Sequence, residues 1–378
     1  AQNAAGIYLI DKRTLTVGDA SVTGRDSSSV IGNETDGKAP SNMRLWTTNN
    51  LNDVASVYVA CDLSGKIGVV NANAKGTQFG SSRIADPKGF GYADGTQVFR
   101  ADDETLFGVI DRTDPNCKKI IWHGDVICKI TDEAGYLLFL GENDPAIFDS
   151  LDVGDASNKG KKSAFSYLRN ASPALQYKDG TPYTGNAYCV KMLESYIAVK
   201  PIITYVNSAR NITLTTAGRT DADYPYRGKA GTPATITRSA TMDNKAMITA
   251  GCTFKLQNIT LDGGSKSGAT KNSDTRILQT ANAENVTRVT IGNKATLQNS
   301  SVTGNGGAVL TTWAGNQVTL DGGEIKNCTA GNGGGIYKEG RSVLNIISGN
   351  ITSCSATNNG GGVYFEYKNE SYNSHILK

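Results

Sequence analysis

The chain has 378 residues, enough for one large or two ordinary domains, and only 19% of them are charged. Lys and Arg (38) nearly balance Asp and Glu (35), so a net charge of +3 argues against the clustered basic surface of a nucleic-acid-binding protein. No run of 18 apolar residues is present, so we expect no direct membrane insertion of this segment. The 43 glycines favour an all-β protein with many turns.

The two ends of the sequence suggest a piece of a longer protein. The chain begins without a Met or an apolar leader, and it ends without a cell-wall sorting motif. We therefore expect a monomeric fragment of a larger chain, with any anchor outside it.

Residues 1–140 are predicted to form an irregular β-rich region. Short apolar stretches separated by turn residues indicate strands at 7–10, 14–17, 57–59, 66–70, 107–110, 119–122, 126–130 and 136–140. The spacing between these stretches is uneven, so this half shows no regular repeat.

Residues 141–195 are predicted to be a linker with a short helix. Residues 145–151 place Ile147, Phe148 and Leu151 on one helical face, after a proline suited to a first turn, and residues 163–168 form a second candidate. Such a helix can cap the open end of a stack of strands. Residues 188–193 then return to strand.

Residues 196–378 carry an internal repeat. The segments 306–310, 333–337 and 360–364 share one Gly-Gly pattern, and their central aliphatics Val309, Ile336 and Val363 follow a period of 27 residues. A fixed period of this length is typical of stacked repeats, and alternation with period 2 indicates strands. The sequence thus predicts a right-handed parallel β-helix, a solenoid with repeats of about 27 residues.

Two polar insertions interrupt the repeats, at 221–231 and 265–276. Loops on a solenoid often lie on its binding face, which makes Tyr224 and Tyr226 candidate ligand contacts. The equally weighted alternative is that both rings fold back over the base of their own loop.

The seven cysteines are scattered and odd in number, which argues against a complete disulfide framework. We interpret them as small buried hydrophobic residues. Cys328 and Cys354 occupy matching repeat positions, so adjacent strands would hold them about 4.8 Å apart. That spacing permits a reduced stack or a disulfide, and the sequence favours the reduced stack.

Residues with catalytic or metal-binding chemistry are sparse. The two histidines, His123 and His375, are far apart, and no nucleotide-binding motif is present, so we predict no cofactor and no metal. A glycan-cleaving enzyme would need paired carboxylates. Asp262 and Asp321 each lie in a Gly-Gly turn, where turn chemistry is the favoured interpretation.

An aromatic row is the main candidate for ligand binding. Tyr337 and Tyr364 are register-equivalent to Leu310, and strand alternation would turn both rings outward if their neighbours point inward. Trp313, Phe365 and Tyr367 follow near the same edge. Exposed Tyr and Trp suit a protein or glycan partner. The alternative is a row that is covered, or that stacks on itself.

These motifs resemble those of giant surface adhesins of Gram-positive gut bacteria. The Gly-Gly-[Ala/Gly]-[Val/Ile]-[Tyr/Leu] element is similar to their repeat, and the strand-like segments 65–69, 127–130 and 213–217 and the helix-like segment 147–151 are similar to elements that precede it. Some members are immunoglobulin-binding B-cell superantigens. The resemblance implies a secreted or wall-attached, extracellular binder of a host protein, with immunoglobulin variable domains as the best single ligand.

Three functions are therefore compared. The first is a non-enzymatic surface adhesin, the second a β-helix polysaccharide lyase or hydrolase, and the third a passive stalk within a larger surface protein. The first is favoured because catalytic clusters are lacking and an aromatic row is present.

Overall fold

The computed structural model describes the chain in segments. They are residues 7–10, 14–18, 25–27, 43–46, 56–64, 67–70, 78–85, 87, 98–101, 106–110, 116, 118–124, 127–140, 144–145, 147–148, 151, 164–169, 175–205, 210–221, 224, 226, 228–265, 274–281 and 286–367. Contacts divide the chain into two compact units, one built mainly from residues 1–125 and one mainly from residues 126–219 and 226–378. The predicted boundaries at 140 and 195 remain predictions.

The first unit contains eleven short described strands. They are β1 Ile7–Ile10, β2 Thr14–Val17, β3 Arg25–Ser27, β4 Met43–Trp46, β5 Ser56–Val59, β6 Asp62–Ser64, β7 Ile67–Val70, β8 Gln78–Ser82, β9 Phe99–Ala101, β10 Leu106–Ile110 and β11 Lys119–Gly124. Nine of them form one mixed sheet in the order β1-β4-β7-β9-β10-β11-β8-β5-β2, and β3 pairs with β6.

Aromatic packing holds the core of this first unit. The ring of Phe79 stacks on Trp122 at a centroid distance of 4.0 Å and meets Phe99 edge-on at 5.6 Å. A Cβ atom on Gly108 would come within 2.7 Å of the Phe79 ring, so β10 must carry glycine at that point. The N-terminal half therefore has its own close-packed core, as a separate compact unit requires.

The second unit begins with irregular elements and continues into regular ones. Its elements are β12 Cys128–Thr131, β13 Phe139–Leu140, β14 Asp144–Pro145, β15 Ile147–Phe148, α1 Ala164–Arg169, β16 Leu175–Gln176, β17 Ala187–Met192, β18 Tyr196–Ala198, β19 Ile202–Tyr205, β20 Asn211–Thr216, β21 Thr235–Arg238, β22 Ile248–Gly251, β23 Thr253–Leu256, β24 Ile259–Asp262, β25 Leu278–Thr280, β26 Arg288–Ile291, β27 Ala295–Gln298, β28 Val309–Thr311, β29 Gln317–Lys326, β30 Thr329–Asn332, β31 Ile336–Glu339, β32 Val343–Thr352, β33 Ser355–Asn359 and β34 Val363–Glu366.

Large parallel sheets dominate this second unit. A twelve-stranded sheet runs β15-β12-β17-β20-β23-β26-β29-β27-β24-β21-β18, with β32 added beside β29, and a six-stranded sheet runs β19-β22-β25-β28-β31-β34. Every neighbour pair in the six-stranded sheet is parallel, and in the larger sheet only the pairs made by β12 are antiparallel. From β17 onward, each strand pairs in most cases with the strand three places later in the chain, as β17 does with β20. The strands therefore fall into three series, which begin with β17, β18 and β19.

The 27-residue period matches the register of the last three strands of the six-stranded sheet. Val309 pairs with Ile336, and Ile336 pairs with Val363, as the sequence period predicts. Val309 and Ile336 are fully buried, as are the equivalent Ile248 and Leu278 on earlier strands. The aliphatic positions of successive repeats therefore form one continuous core column.

A column of glycines makes the same turn in three successive repeats. Gly306, Gly333 and Gly360 have φ of 70°, 62° and 62°, a left-handed conformation that suits glycine. Backbone bonds join them, from Gly306 N to Asn332 O and from Gly333 N to Asn359 O, both 2.9 Å long. The repeated Gly-Gly pattern is thus explained by a repeated turn.

The predicted helix at 145–151 is wrong. Residues 147–148 form β15, which pairs antiparallel with β12, and Phe148 is fully buried opposite Cys128. Tertiary pairing overrides a helical pattern of only three apolar positions. The second helix prediction is confirmed by α1, whose Phe165 meets the Phe254 ring edge-on at 6.4 Å.

In the part of the chain that the structure describes, no helix is both long and apolar enough to cross a bilayer.

The cysteine predictions can be followed for six of the seven residues, since Cys117 lies outside the described residues. All six are free thiols, and Cys61, Cys128, Cys252 and Cys328 are buried.

Candidate binding site

The predicted row of Leu310, Tyr337 and Tyr364 exists in register, but Tyr337 is not on the surface. Only 2% of Tyr337 is exposed, because three of the four residues of β31 are buried and alternation no longer separates an inner from an outer face. Its ring packs on that of half-buried Tyr364 at 5.7 Å, and its hydroxyl donates to Glu366. Burial, more than the carboxylate, raises the pKa of Tyr337. The outward orientation predicted for Tyr337 is wrong, and its ring is covered and stacks on Tyr364, as the alternative interpretation predicted.

Phe365 belongs to the same packed group. It is half-buried, and the amine of the fully buried Lys338 lies 5.6 Å from its ring centroid. That amine also donates to the carbonyl of Gly340, and burial lowers the pKa of Lys338. Phe365 and Lys338 therefore stabilise the edge of the sheet, as a cation placed over an aromatic face does.

The two loop tyrosines have different environments. Tyr226 is 4% exposed, and its backbone N–H donates to Gly218 O at 3.0 Å, so it folds back as the second interpretation predicted. Tyr224 is half-buried with φ of 53°. Residues 222, 223, 225 and 227 of this insertion, and 266–273 of the other, lie outside the described residues.

Trp313 and Tyr367 are the two candidate residues with broadly exposed rings, at 56% and 59%. They follow the ends of β28 and β34, the two strands that flank β31, in which Thr311 pairs with Lys338 and Lys338 pairs with Phe365. Two residues further along, the same register places Gly340 between Trp313 and Tyr367. The bond from Gly340 N to Glu366 O, at 3.1 Å, continues the ladder to that position.

The space next to Gly340 is open. A Cβ atom built on Gly340 would have no heavy atom within 4 Å. The backbones of Trp313 and Tyr367 are two strand spacings apart, about 10 Å at about 4.8 Å per strand. We call this arrangement of Trp313, Gly340 and Tyr367 the aromatic slot.

Trp313 also has a strained backbone. Its φ is 70°, in the left-handed region, and Gly340 at the equivalent position has φ of 56°. Bulky residues are outliers in this region, and such strain is typical of functional sites. The adjacent surface adds Val286, which is 41% exposed and lies 3.1 Å from the Cβ position of Gly315, and the exposed Arg341.

The slot can hold a flat or apolar group by stacking. Tyr and Trp provide large contact areas at a low entropy cost, and Gly340 adds no side chain next to them. The sequence prediction named both aromatic residues and missed Gly340. The missed signal is the period itself, because positions 313, 340 and 367 are 27 residues apart.

The carboxylates considered for catalysis are held by hydrogen bonds, Asp262 at the end of β24 and Asp321 within β29, so the turn interpretation fits Asp262 and is wrong for Asp321. Asp262 accepts bonds from Gly264 N and Gln298 Nε2, both at 2.9 Å, and from Asn299 Nδ2 at 2.7 Å. Asp321 accepts from Ser348 Oγ at 3.1 Å. Asp262 is in register with Gln298, whereas Asp321 pairs with Ser348, so the two carboxylates lie in different columns. Among the described residues, no three His, Cys, Asp or Glu side chains converge as metal ligands would.

We expect Asp262→Ala to lower the free energy of unfolding by about 2 kcal/mol, since charged hydrogen bonds contribute about 1.5–3 kcal/mol and the substitution leaves the amide of buried Asn299 without its acceptor. Urea unfolding followed by far-UV circular dichroism measures this. Asp262→Asn keeps an oxygen that can accept the bond from Gly264 N, so its free energy of unfolding should fall by less than that of the alanine variant. A loss below about 0.5 kcal/mol for the alanine variant would refute the turn role.

Comparisons with known proteins found no match: no protein-family model, no curated protein and no solved structure is similar to this chain.

Proposed function

We propose that this chain is the ligand-binding part of a non-enzymatic bacterial surface protein, an adhesin, and that its second unit is a right-handed parallel β-helix. The fold proposal is supported by three strand series that pair in parallel from one repeat to the next, with the 27-residue period at Val309, Ile336 and Val363. Stacked repeats of this kind create extended surfaces for binding.

The aromatic slot is the observation that carries the binding role. An exposed tryptophan in a left-handed conformation lowers stability, and here it lies in register with a second exposed ring across an open glycine position. A passive stalk needs none of these features. A binding surface needs exposed anchor residues on a preorganised scaffold, and Trp and Tyr are the commonest anchors.

A host protein is the proposed partner, with immunoglobulin variable domains as the specific candidate. The choice of immunoglobulin rests on the resemblance to gut bacterial superantigen adhesins. A protein partner also agrees with the slot, because protruding apolar or aromatic side chains of a partner pack well on exposed Trp and Tyr anchors. This role implies an extracellular location, secreted or attached to the cell wall.

Binding of the purified chain to a panel of antibody Fab fragments tests this proposal. The panel covers different heavy-chain variable families, and biolayer interferometry measures each dissociation constant. We expect at least one family to bind at about 1 µM or tighter, equivalent to about −8 kcal/mol, whatever its antigen specificity. An absence of binding across all families would refute immunoglobulin as the ligand.

A glycan is the second candidate ligand, because a sugar ring can also stack between the rings of Trp313 and Tyr367. A glycan array probed with the same protein separates the two classes. Binding to a defined oligosaccharide with no Fab binding would assign the slot to sugar recognition.

A further inference from the structure

Cys328 and Cys354 lie side by side at equivalent positions of adjacent repeats, Cys328 between β29 and β30 and Cys354 between β32 and β33. Lys326 pairs with Thr352 and Thr329 pairs with Ser355, which places the two cysteines opposite each other. The backbone N–H of Ser355 donates to the carbonyl of Cys328 at 2.9 Å. Adjacent strands are about 4.8 Å apart, within the Cα separation of about 4.4–6.8 Å that a disulfide spans.

The two thiols are coupled but have different environments. Cys328 is fully buried, and its Sγ lies 3.2 Å from Lys326 O. Cys354 is half-buried between the exposed Ser353 and Ser355, and its Sγ lies 3.4 Å from Thr352 O. Solvent therefore reaches the sulfur of Cys354 and does not reach that of Cys328.

Hydrogen bonding between the thiols favours ionisation of the outer one. A hydrogen bond from Cys328 lowers the pKa of Cys354, while the same bond and burial raise the pKa of Cys328. Nearby charges act mainly on the buried thiol, since the carboxylate of Asp262 raises the pKa of Cys328 further. Lys326 is held by Glu324 at 2.6 Å. Of the two thiols, Cys354 therefore ionises more readily to the thiolate, the nucleophilic form.

We propose that Cys354 and Cys328 form a redox-sensitive pair that low-molecular-weight disulfides convert into a disulfide bond between adjacent repeats. The Cys354 thiolate attacks one sulfur of the external disulfide, forms a mixed disulfide and expels one thiolate. The Cys328 thiol then loses its proton and attacks the Cys354 sulfur, which expels the second small thiol. Two electrons pass from the cysteines to the external disulfide, which leaves as two thiols.

This pair is independent of the aromatic slot and of any ligand. The bond would close a loop between two successive repeats and restrict the unfolded chain, so oxidation should stabilise the fold. Extracellular conditions favour the oxidised form. The two cysteines that share a repeat position thus form a site of reversible oxidation to a disulfide.

Oxidised glutathione, applied to the reduced full-length chain at pH 7, tests the pair. After blocking with iodoacetamide, trypsin digestion without reductant should give a linked pair of peptides, 327–338 and 342–368, because Lys338 and Arg341 lie between the cysteines. We expect this pair in most molecules and a thermal midpoint about 5 °C higher than in the reduced protein. A persistent glutathione adduct on Cys354, or no modification at all, would overturn the proposal.

Two variants and an internal control keep the result unambiguous. Cys328→Ala should stop the reaction at the mixed disulfide on Cys354, and Cys354→Ser should leave Cys328 unmodified. In the wild-type chain, iodoacetamide should label Cys354 at least 10-fold faster than Cys252, which is buried and whose pKa is raised to about 11 by burial. Equal rates at Cys354 and Cys252 would contradict the proposal.

Discussion

Replacing Gly334 with alanine is expected to lower the free energy of unfolding of the parallel-sheet unit by about 3 kcal/mol or more. A Cβ atom at this position would overlap the backbone carbonyl oxygens of Ser355 and Gly361. Neither oxygen can move alone, because hydrogen bonds connect the adjacent turns, including Gly334 N to Gly360 O at 3.1 Å. The strain would thus spread through the stacked turns.

Gly340→Ala is the matched control for this substitution. Gly340 has φ of 56°, but a Cβ atom there has no neighbour within 4 Å, so only the left-handed backbone disfavours alanine. That strain costs about 1 kcal/mol. Urea unfolding of the two variants, followed by far-UV circular dichroism, should give a clearly lower midpoint for Gly334→Ala. Equal decreases in the unfolding midpoint for the two variants would mean that the stacked turns are less closely packed than the geometry indicates.

The repeat was predictable because the same short motif recurs in the sequence at a fixed spacing. Spacing alone gives the pairing of Val309, Ile336 and Val363, since each repeat must bury its aliphatic residue against the next. The same period gives the positions of Trp313, Gly340 and Tyr367. The period does not predict the open space next to Gly340, because that space depends on side chains that are remote in the sequence.

Burial on both faces of a strand was not predictable from alternation. The pattern around Ile336 and Tyr337 suggests one inner and one outer residue, yet both are buried, because packing against other elements decides the second face. The error at 145–151 has a similar origin. Three apolar residues with helical spacing also suit a two-residue strand, and antiparallel pairing of Phe148 with Cys128 selects the strand.

Replacing Trp313 with glycine should separate binding from stability. The indole is 56% exposed and its backbone has φ of 70°, a conformation that glycine adopts without strain. Release of about 1 kcal/mol of strain should offset the lost packing and the added chain entropy, so the unfolding midpoint should stay close to that of the wild type. If the slot is the binding site, the dissociation constant for the Fab or oligosaccharide that binds the wild type should rise about 30-fold or more, the effect of losing an anchor of about 2 kcal/mol.

Two further variants show whether this effect belongs to the slot. Trp313→Ala removes the same ring but keeps a residue with Cβ at φ of 70°, so it should bind as weakly as the glycine variant and be less stable. Ile347→Ser removes a side chain that is 68% exposed on β32, in the other sheet, and should leave binding unchanged. Because the glycine variant keeps its fold, a normal dissociation constant for it would exclude Trp313 as an anchor. The ligand surface would then lie elsewhere on the chain. Loss of binding in the Ile347 variant as well would instead indicate a general apolar contact, and the register of Trp313 with Tyr367 would have no role in recognition.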